Sequence, residues 1–170
     1  MTTRDFCITW LVYGLALLPV WLAEAFVSSR YPIFGIKPML LPLAAVAVAT
    51  LEGPSGGAGF GLAVGVLFDA YQGALPGVLT LILAGMGLCS GLLCRYFLRQ
   101  NLVGCFLCSA MTLAVIDALR VLARLLGRVA SPSLLLALAG KEILLSLCFV
   151  PLVFLLFRWV FDRVPKATVL

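Results

Sequence analysis

The stretch EGPSGGAGFGLAVGVLFDAYQGALPG, residues 52–77, places a glycine at nearly every fourth position. Gly57, Gly61 and Gly65 are followed, four residues further on, by Asp69. Residues four apart lie on nearly the same face of a helix, so these side chains form one stripe. A glycine inside a helix costs about 1 kcal/mol relative to alanine, and a row of them is typical of membrane helices that pack closely. The stripe therefore predicts a helix-packing face.

The carboxylate of Asp69 falls towards the end of this otherwise uncharged segment. Two interpretations are compatible with that position. Either the glycines pack helices and Asp69 caps or pairs locally, or Asp69 is a functional acid, since intramembrane acids are functional candidates by default. In both cases a buried carboxylate needs a donor within the protein. The candidates are Arg120, Lys141 and free backbone N–H groups.

The composition is that of a membrane protein. Of the 170 residues, 64% are hydrophobic and only 11% are charged, with a mean hydropathy of +1.18. Ordinary soluble domains carry about 25% charged residues. Several apolar runs are long enough to cross a hydrocarbon core of about 30 Å. We predict an all-α, polytopic integral membrane protein with a single domain over residues 1–170. Its six predicted transmembrane helices cover about residues 6–27, 33–51, 56–71, 77–94, 102–122 and 134–157.

The chain lacks the residues that several kinds of catalytic, metal-binding and nucleic-acid-binding sites require. Histidine is absent, which removes Ser-His and Cys-His nucleophile pairs, HExxH zinc sites and haem ligation by histidine. Cys105 and Cys108 form a CxxC, but structural zinc needs four ligands, so we interpret the six cysteines as small hydrophobes. The net charge of +5 is scattered, without a basic and aromatic cluster for nucleic acid. We predict no catalytic residues, no cofactor and no metal site.

The distribution of arginine and lysine predicts the orientation in the membrane. With both termini in the cytoplasm, the cytoplasmic ends hold six basic residues: Arg4, Arg95, Arg99, Arg158, Arg163 and Lys166. The outer ends then hold four: Arg30, Lys37, Arg124 and Arg128. Because basic residues favour the cytoplasmic side, we predict that the N and C termini are cytoplasmic.

This orientation places six charged residues towards the outer side: Glu24, Asp69, Asp117, Arg120, Lys141 and Glu142. Each alone in lipid would cost a few kcal/mol, so their grouping indicates an outward-facing polar network or cavity, or a set that neutralises itself and fixes helix order. Asp117 and Arg120 also form an i,i+3 pair in the favourable orientation. That pair is typical of a helix end emerging into head groups, and a ligand site is the alternative.

The run GAGFGLAVGVLFDAYQGALPG, followed by LAGMGLCSGLL, resembles the rod shape-determining protein MreD family. That family typically shows a G-x-x-x-G-L-x-x-G-x-x-x-D core, a short turn with glycine and another apolar helix. The matching residues of this chain are Gly57, Gly61, Leu62, Gly65 and Asp69, with Gly73 and Gly77 in and after the turn. The length, the six-helix plan and the basic C-terminal end also fit.

The resemblance implies a component of the bacterial inner (cytoplasmic) membrane that scaffolds lateral peptidoglycan synthesis and catalyses no reaction. The implied partner is MreC, a single-span protein. Beyond it lie the filament protein MreB, the glycosyltransferase RodA and its penicillin-binding transpeptidase. The alternative from another class is a substrate-binding S component of an energy-coupling-factor vitamin transporter, which has a similar size and six helices. A third, weaker option is a lipid-modifying enzyme with Asp69 or Glu142 as its base.

Overall fold

The computed structural model describes residues 3–30, 38–72, 77–96, 102–126 and 132–163, and these form six α-helices. The helices are α1 (Thr3–Arg30), α2 (Leu41–Glu52), α3 (Pro54–Gln72), α4 (Val78–Tyr96), α5 (Leu102–Leu126) and α6 (Pro132–Arg163). The predicted all-α class is confirmed.

Four helices are long and apolar enough to cross a membrane. Their candidate spans are Thr9–Phe26, Val78–Tyr96, Leu102–Leu125 and Ala137–Arg163. By length and composition the chain is therefore a multi-pass membrane protein. The 12 residues of α2 reach only about 18 Å, which is short of a hydrocarbon core of about 30 Å.

The start of the second helix is where the sequence prediction is wrong. We expected a helix from about residue 33, but residues 38–40 are not helical and α2 begins at Leu41. Residues 33–37 lie outside the described residues. The physical reason is Pro42, which occupies the first turn of α2. Proline fits there because its missing N–H would have no helical partner, whereas further inside a helix its ring clashes with the preceding turn.

The short helix α2 forms the centre of the bundle. It packs against each of the other five helices. Every residue from Leu41 to Leu51 is buried. Alanine at four of these positions keeps the helix slim, so that its neighbours approach closely. The non-helical residues 38–40 are buried as well, and irregular backbone is tolerated at membrane depth where protein surrounds it.

The outer surface of the other five helices is apolar. Large hydrophobic side chains are more than half exposed on α1, α3, α4, α5 and α6, among them Leu11, Val66, Leu81, Val103 and Leu144. An exposed apolar surface of this kind indicates a membrane or protein contact. The apolar belt thus agrees with a chain whose outer face meets lipid.

Candidate functional site

The glycine stripe lies at the contact between α3 and α4. A methyl group built on Gly61 would lie 2.5 Å from the carbonyl oxygen of Leu83, and one on Gly65 would lie 2.5 Å from the Cα of Thr80. On Gly57 it would meet the carbonyl oxygen of Gly87 at the same distance. Since side chains have no room at these points, α3 and α4 pack backbone against backbone.

Glycines of α4 take part in the same contact. A methyl group on Gly91 would lie 2.6 Å from the backbone of Pro54, at the start of α3. Both helices are therefore slim where they meet, from the α2–α3 junction to the start of α4. This is the geometry that small residues allow in membrane helix pairs, where close backbones gain dispersion contacts and Cα–H···O bonds.

The carboxylate of Asp69 caps the beginning of α4. Its Oδ2 accepts hydrogen bonds from the backbone N–H of Gly77 (2.9 Å), from the backbone N–H of Thr80 (3.1 Å) and from the Thr80 hydroxyl (2.5 Å). The first N–H groups of a helix have no partner within it, and a negative charge there is favoured by the helix dipole. Of the donors that we considered, backbone N–H groups fill the role. Asp69 thus holds the end of the α3–α4 pair.

A second acid, Glu24 of α1, holds the beginning of α2. Its Oε2 accepts the N–H groups of Leu40 (3.1 Å) and Leu41 (2.7 Å), and the Glu24 side chain is only 2% exposed. The N–H of Met39 donates to the Ser146 Oγ of α6 at 3.1 Å. Because Leu40 supplies no side-chain cap of its own, the start of α2 depends on side chains from two other helices.

Arg120 reaches the same segment from α5. Its Nη1 lies 3.7 Å from the Glu142 Oε1 of α6 and 3.5 Å from the Met39 sulfur. Its guanidinium also stands 5.4 Å from the centre of the Phe68 ring, within cation–π distance. The arginine is thus directed inward between helices. We call Glu24, Arg120, Glu142 and Ser146 the buried polar cluster.

The outward charges predicted from sequence therefore separate into groups. Glu24, Arg120 and Glu142 meet around the start of α2, whereas Asp69 contacts the start of α4. Lys141, beside Glu142 in sequence, is exposed. The structure thus does not bring all six residues into one site: Arg120 pairs with Glu142, and Glu24 binds backbone N–H groups at the start of α2.

Asp117 of α5 borders a groove between α5 and α6. The Asp117 side chain is 4% exposed, and its Oδ2 has no hydrogen-bond partner among the residues that the structure describes. The groove has a volume of about 450 Å³ and otherwise apolar walls. Its lining residues are Ala114, Asp117, Ala118, Val121, Leu122, Leu125, Ala139, Gly140 and Ile143. We call this feature the α5–α6 groove.

Three of the cysteines are buried where α4 meets α5, whereas Cys89 and Cys148 are exposed. Cys94, Cys105 and Cys108 are buried, and the sulfur atoms of Cys94 and Cys108 lie 3.9 Å apart. Among the described residues no three His, Cys, Asp or Glu side chains are grouped as metal ligands. The proximity of Cys94 to Cys108 was not part of the sequence prediction, which considered only the CxxC spacing.

The sequence analysis did not identify three residues that take part in these polar contacts. Met39 and Ser146 carry no charge, and their contact joins positions 107 residues apart. Thr80, which binds Asp69 through both its N–H and its hydroxyl, follows Gly77 by only three residues. A helix start soon after Asp69 was the signal that could have identified Thr80, because Asp is a preferred capping acceptor.

Comparison of the chain with protein-family models, with curated proteins and with solved structures finds no match. The functional argument therefore depends on the residues of the chain itself. Those residues offer a closed helix pair at α3–α4, a buried polar cluster at the start of α2, and an open groove at α5–α6.

Proposed function

We propose that this chain is a non-catalytic scaffold of the bacterial inner membrane, part of the cell-elongation machinery, and similar to MreD. In this role it supports rod shape and lateral peptidoglycan synthesis by binding an MreC-like single-span protein. The observation that carries the proposal is the sequence from Gly57 to Asp69, whose G-x-x-x-G-L-x-x-G-x-x-x-D pattern is the one that resembles the MreD family.

The geometry of this pattern supports the proposal. The glycine positions face α4 at distances that exclude a side chain, and Asp69 binds the first N–H groups of α4. All four positions thus serve one purpose, which is to hold two helices backbone to backbone. Because one helix contact accounts for all four positions, the pattern supports the resemblance better than an unrelated run of glycines would.

The proposal includes a topology. All six helical segments lie within the bilayer, with α2 enclosed by the others, and both termini are cytoplasmic, as the distribution of arginine and lysine favours. A single cysteine in place of Ser55, at the exposed start of α3, then reacts with an impermeant reagent only from the cytoplasmic side. The background for this experiment lacks the native cysteines. Labelling of Ser55→Cys from the outside contradicts the topology.

Partners beyond the MreC-like protein follow from the same resemblance. MreB, RodA and the penicillin-binding transpeptidase are expected to associate directly or through that protein. The apolar belt supports partners that also lie in the membrane, because exposed apolar helix faces of a membrane protein meet either lipid or other membrane helices.

A second candidate is the S component of an energy-coupling-factor vitamin transporter. The α5–α6 groove favours it, since about 450 Å³ lies within the size range of small-molecule sites. Against it, the walls are apolar apart from Asp117. A polar vitamin needs several convergent hydrogen-bonding groups, so we place this function second.

Depletion of the protein in its native host separates the two candidates. The scaffold function requires rod-shaped cells to widen or become round, and requires the MreC-type protein to co-purify with the tagged chain. An S component instead requires the loss of uptake of one vitamin, with cell shape unchanged. Normal shape together with a specific uptake defect contradicts the scaffold proposal.

A further inference from the structure

We propose that Arg163 and Trp159, which contact each other at the end of α6, form a binding site for the phosphodiester head group of an anionic phospholipid. We call these two residues the Arg163–Trp159 pair. The inference goes beyond the proposed function, because it requires only that the chain lies in a membrane. It assigns a class of lipid to one place on the outer surface of the bundle.

The first argument is the geometry of the pair. The guanidinium carbon of Arg163 lies over the Trp159 ring, 3.8 Å from its centre. Trp159 is 58% exposed, and Arg163 is exposed as well. A guanidinium that packs on an aromatic face keeps the N–H donors at its edge available, and these donors match two oxygens of a phosphate. The pair thus presents an accessible, oriented set of donors for an anion.

The second argument is the depth of the pair in the membrane. The candidate span on α6 runs from Ala137 to Arg163 and has 27 residues, which corresponds to about 40 Å along the helix axis. The hydrocarbon core is about 30 Å thick, and the bilayer with its head groups about 40–45 Å. The last turn of α6 therefore lies among the head groups, and a head group is what its exposed side chains meet.

The third argument is the continuity of the pair with a surface that faces acyl chains. Leu152 and Leu155 are 66% and 62% exposed. Together with Trp159 and Arg163 they follow a spacing of three and four residues, which places all four on one face of α6. A phospholipid whose acyl chain packs against the two leucines brings its phosphodiester to the pair. A free anion gains nothing from the leucines, so the occupant is a lipid.

The charge at this end of the bundle favours an anionic lipid over a zwitterionic one. Arg95 on α4 and Arg158 on α6 are exposed here in addition to Arg163, and the exposed acids are Glu52 and Asp162. The described side chains therefore carry more positive than negative charge. A zwitterionic head group brings its own ammonium, which this surface repels, whereas an anionic head group is attracted.

Fluorescence of Trp159 tests the proposal directly. The chain has three tryptophans, so Trp10→Phe together with Trp21→Phe leaves Trp159 as the only one. This variant is reconstituted into vesicles of phosphatidylglycerol and phosphatidylcholine in which one lipid carries brominated acyl chains that quench tryptophan. We expect the relative binding constant at Trp159 to favour phosphatidylglycerol about fivefold, the usual gain for one arginine near an anionic surface.

A second tryptophan provides the matched probe. Trp21 of α1 is 36% exposed, and no arginine lies over its ring among the described residues. The variant that retains only Trp21 should be quenched equally by both brominated lipids. A preference of the same size at Trp21 would show that the vesicle, and not the pair, selects the lipid, and would overturn the proposal.

Substitution of each arginine of α6 separates the pair from general surface charge. Arg163→Gln should reduce the preference at Trp159 to nearly one, and Arg163→Lys should retain only part of it because an ammonium lacks the planar donor fork. Arg158→Gln is the control. It removes the same charge from the same helix end, but the Arg158 guanidinium lies over Phe154, at 6.0 Å. Most of the preference should remain in this variant.

Several results would overturn the proposal. These are equal quenching by the two lipids at Trp159, a preference that survives Arg163→Gln, full retention with Arg163→Lys, or an equal loss with Arg158→Gln. Inorganic phosphate that abolishes the preference, where chloride at the same ionic strength does not, would assign the pair to a free anion instead. None of these results changes the cell-shape test, so this inference and the proposed function fail separately.

Discussion

The α3–α4 and α5–α6 pairs are both antiparallel neighbours with an acid towards the same end of the bundle, but they differ in what fills the space between them. In α3–α4 the glycines of one helix contact the backbone of the other, and Asp69 binds three donor groups at the start of α4. In α5–α6 the alanines and Gly140 border an open groove, and no hydrogen bond to Asp117 Oδ2 is found among the described residues. The other oxygen of Asp69, Oδ1, is likewise buried without a described partner, so the two acids differ in the donors that Asp69 Oδ2 binds.

The difference shows that small residues near an acid can have different structural roles in a membrane helix bundle. In α3–α4, the small residues and the acid form a tight contact with the next helix in the chain. Where no described helix fills the space, the same residue types border an open groove. The sequence spacing alone does not distinguish these cases, since both Gly57/Gly61 and Ala114/Ala118 are four residues apart.

The largest expected effect comes from adding a side chain to each pair. Gly61→Leu should destabilise the protein by more than about 3 kcal/mol, because the new side chain meets the backbone of Leu83 and forces the helices apart. Gly140→Leu should change stability by less than about 0.5 kcal/mol, because a side chain there enters open space. Membrane abundance and the thermal midpoint in detergent measure both effects.

Ala63→Leu is the control on α3 itself, since Ala63 is exposed and lies off the glycine stripe. It should behave like Gly140→Leu. Equal tolerance of leucine at Gly61 and Ala63 would remove the distinction between a closed and an open pair.

Replacing Glu24 tests whether the buried polar cluster, like the α3–α4 contact, stabilises the fold. Glu24→Leu leaves the N–H groups of Leu40 and Leu41 buried without an acceptor, which should lower stability by about 3 kcal/mol. Glu24→Gln keeps a side-chain oxygen in reach of both groups and should lose less. Thermal unfolding of the two variants in the same detergent measures the difference. Leucine and glutamine variants of equal stability would mean that the start of α2 does not depend on this carboxylate.

Sequence analysis predicted the packing face on α3, and the structure places that face against the next helix in the chain. The stripe of Gly57, Gly61 and Gly65 faces the very next helix, so periodicity and a short connection suffice to find its partner. The six helices were likewise predicted from apolar runs. The second helix was predicted to begin at about residue 33 rather than at Leu41, because the apolar run continues past Pro38 and Pro42.

The contacts of the buried polar cluster could not be predicted in the same way. Glu24 reaches Leu41 across 17 residues, and Ser146 reaches Met39 across 107. These pairings depend on how six helices are arranged around α2, and that arrangement follows from side-chain packing over the entire chain. The predicted orientation placed Arg120 and Glu142 at a similar depth in the membrane. Depth alone does not determine which charged side chains are in contact.

A smaller contrast between the two pairs comes from removing the acid of each. Asp69→Leu removes three hydrogen bonds and a helix cap, and should lower stability by about 2 kcal/mol, with Asp69→Asn milder because its amide oxygen still accepts. Asp117→Leu should lower stability by less than about 0.5 kcal/mol or raise it, because an apolar side chain replaces a buried oxygen that has no described partner. Thermal unfolding of the purified chain, without partner proteins, measures both.

The purified state is what makes the Asp117 result informative. If Asp117 has no essential contact inside the fold, the isolated chain carries the cost of a buried, unpaired oxygen, and the leucine variant is at least as stable. If Asp117 instead has an essential role inside the fold, Asp117→Leu unfolds at a lower temperature than Asp69→Asn. That order would show that α5–α6, like α3–α4, is a closed pair held by its own acid.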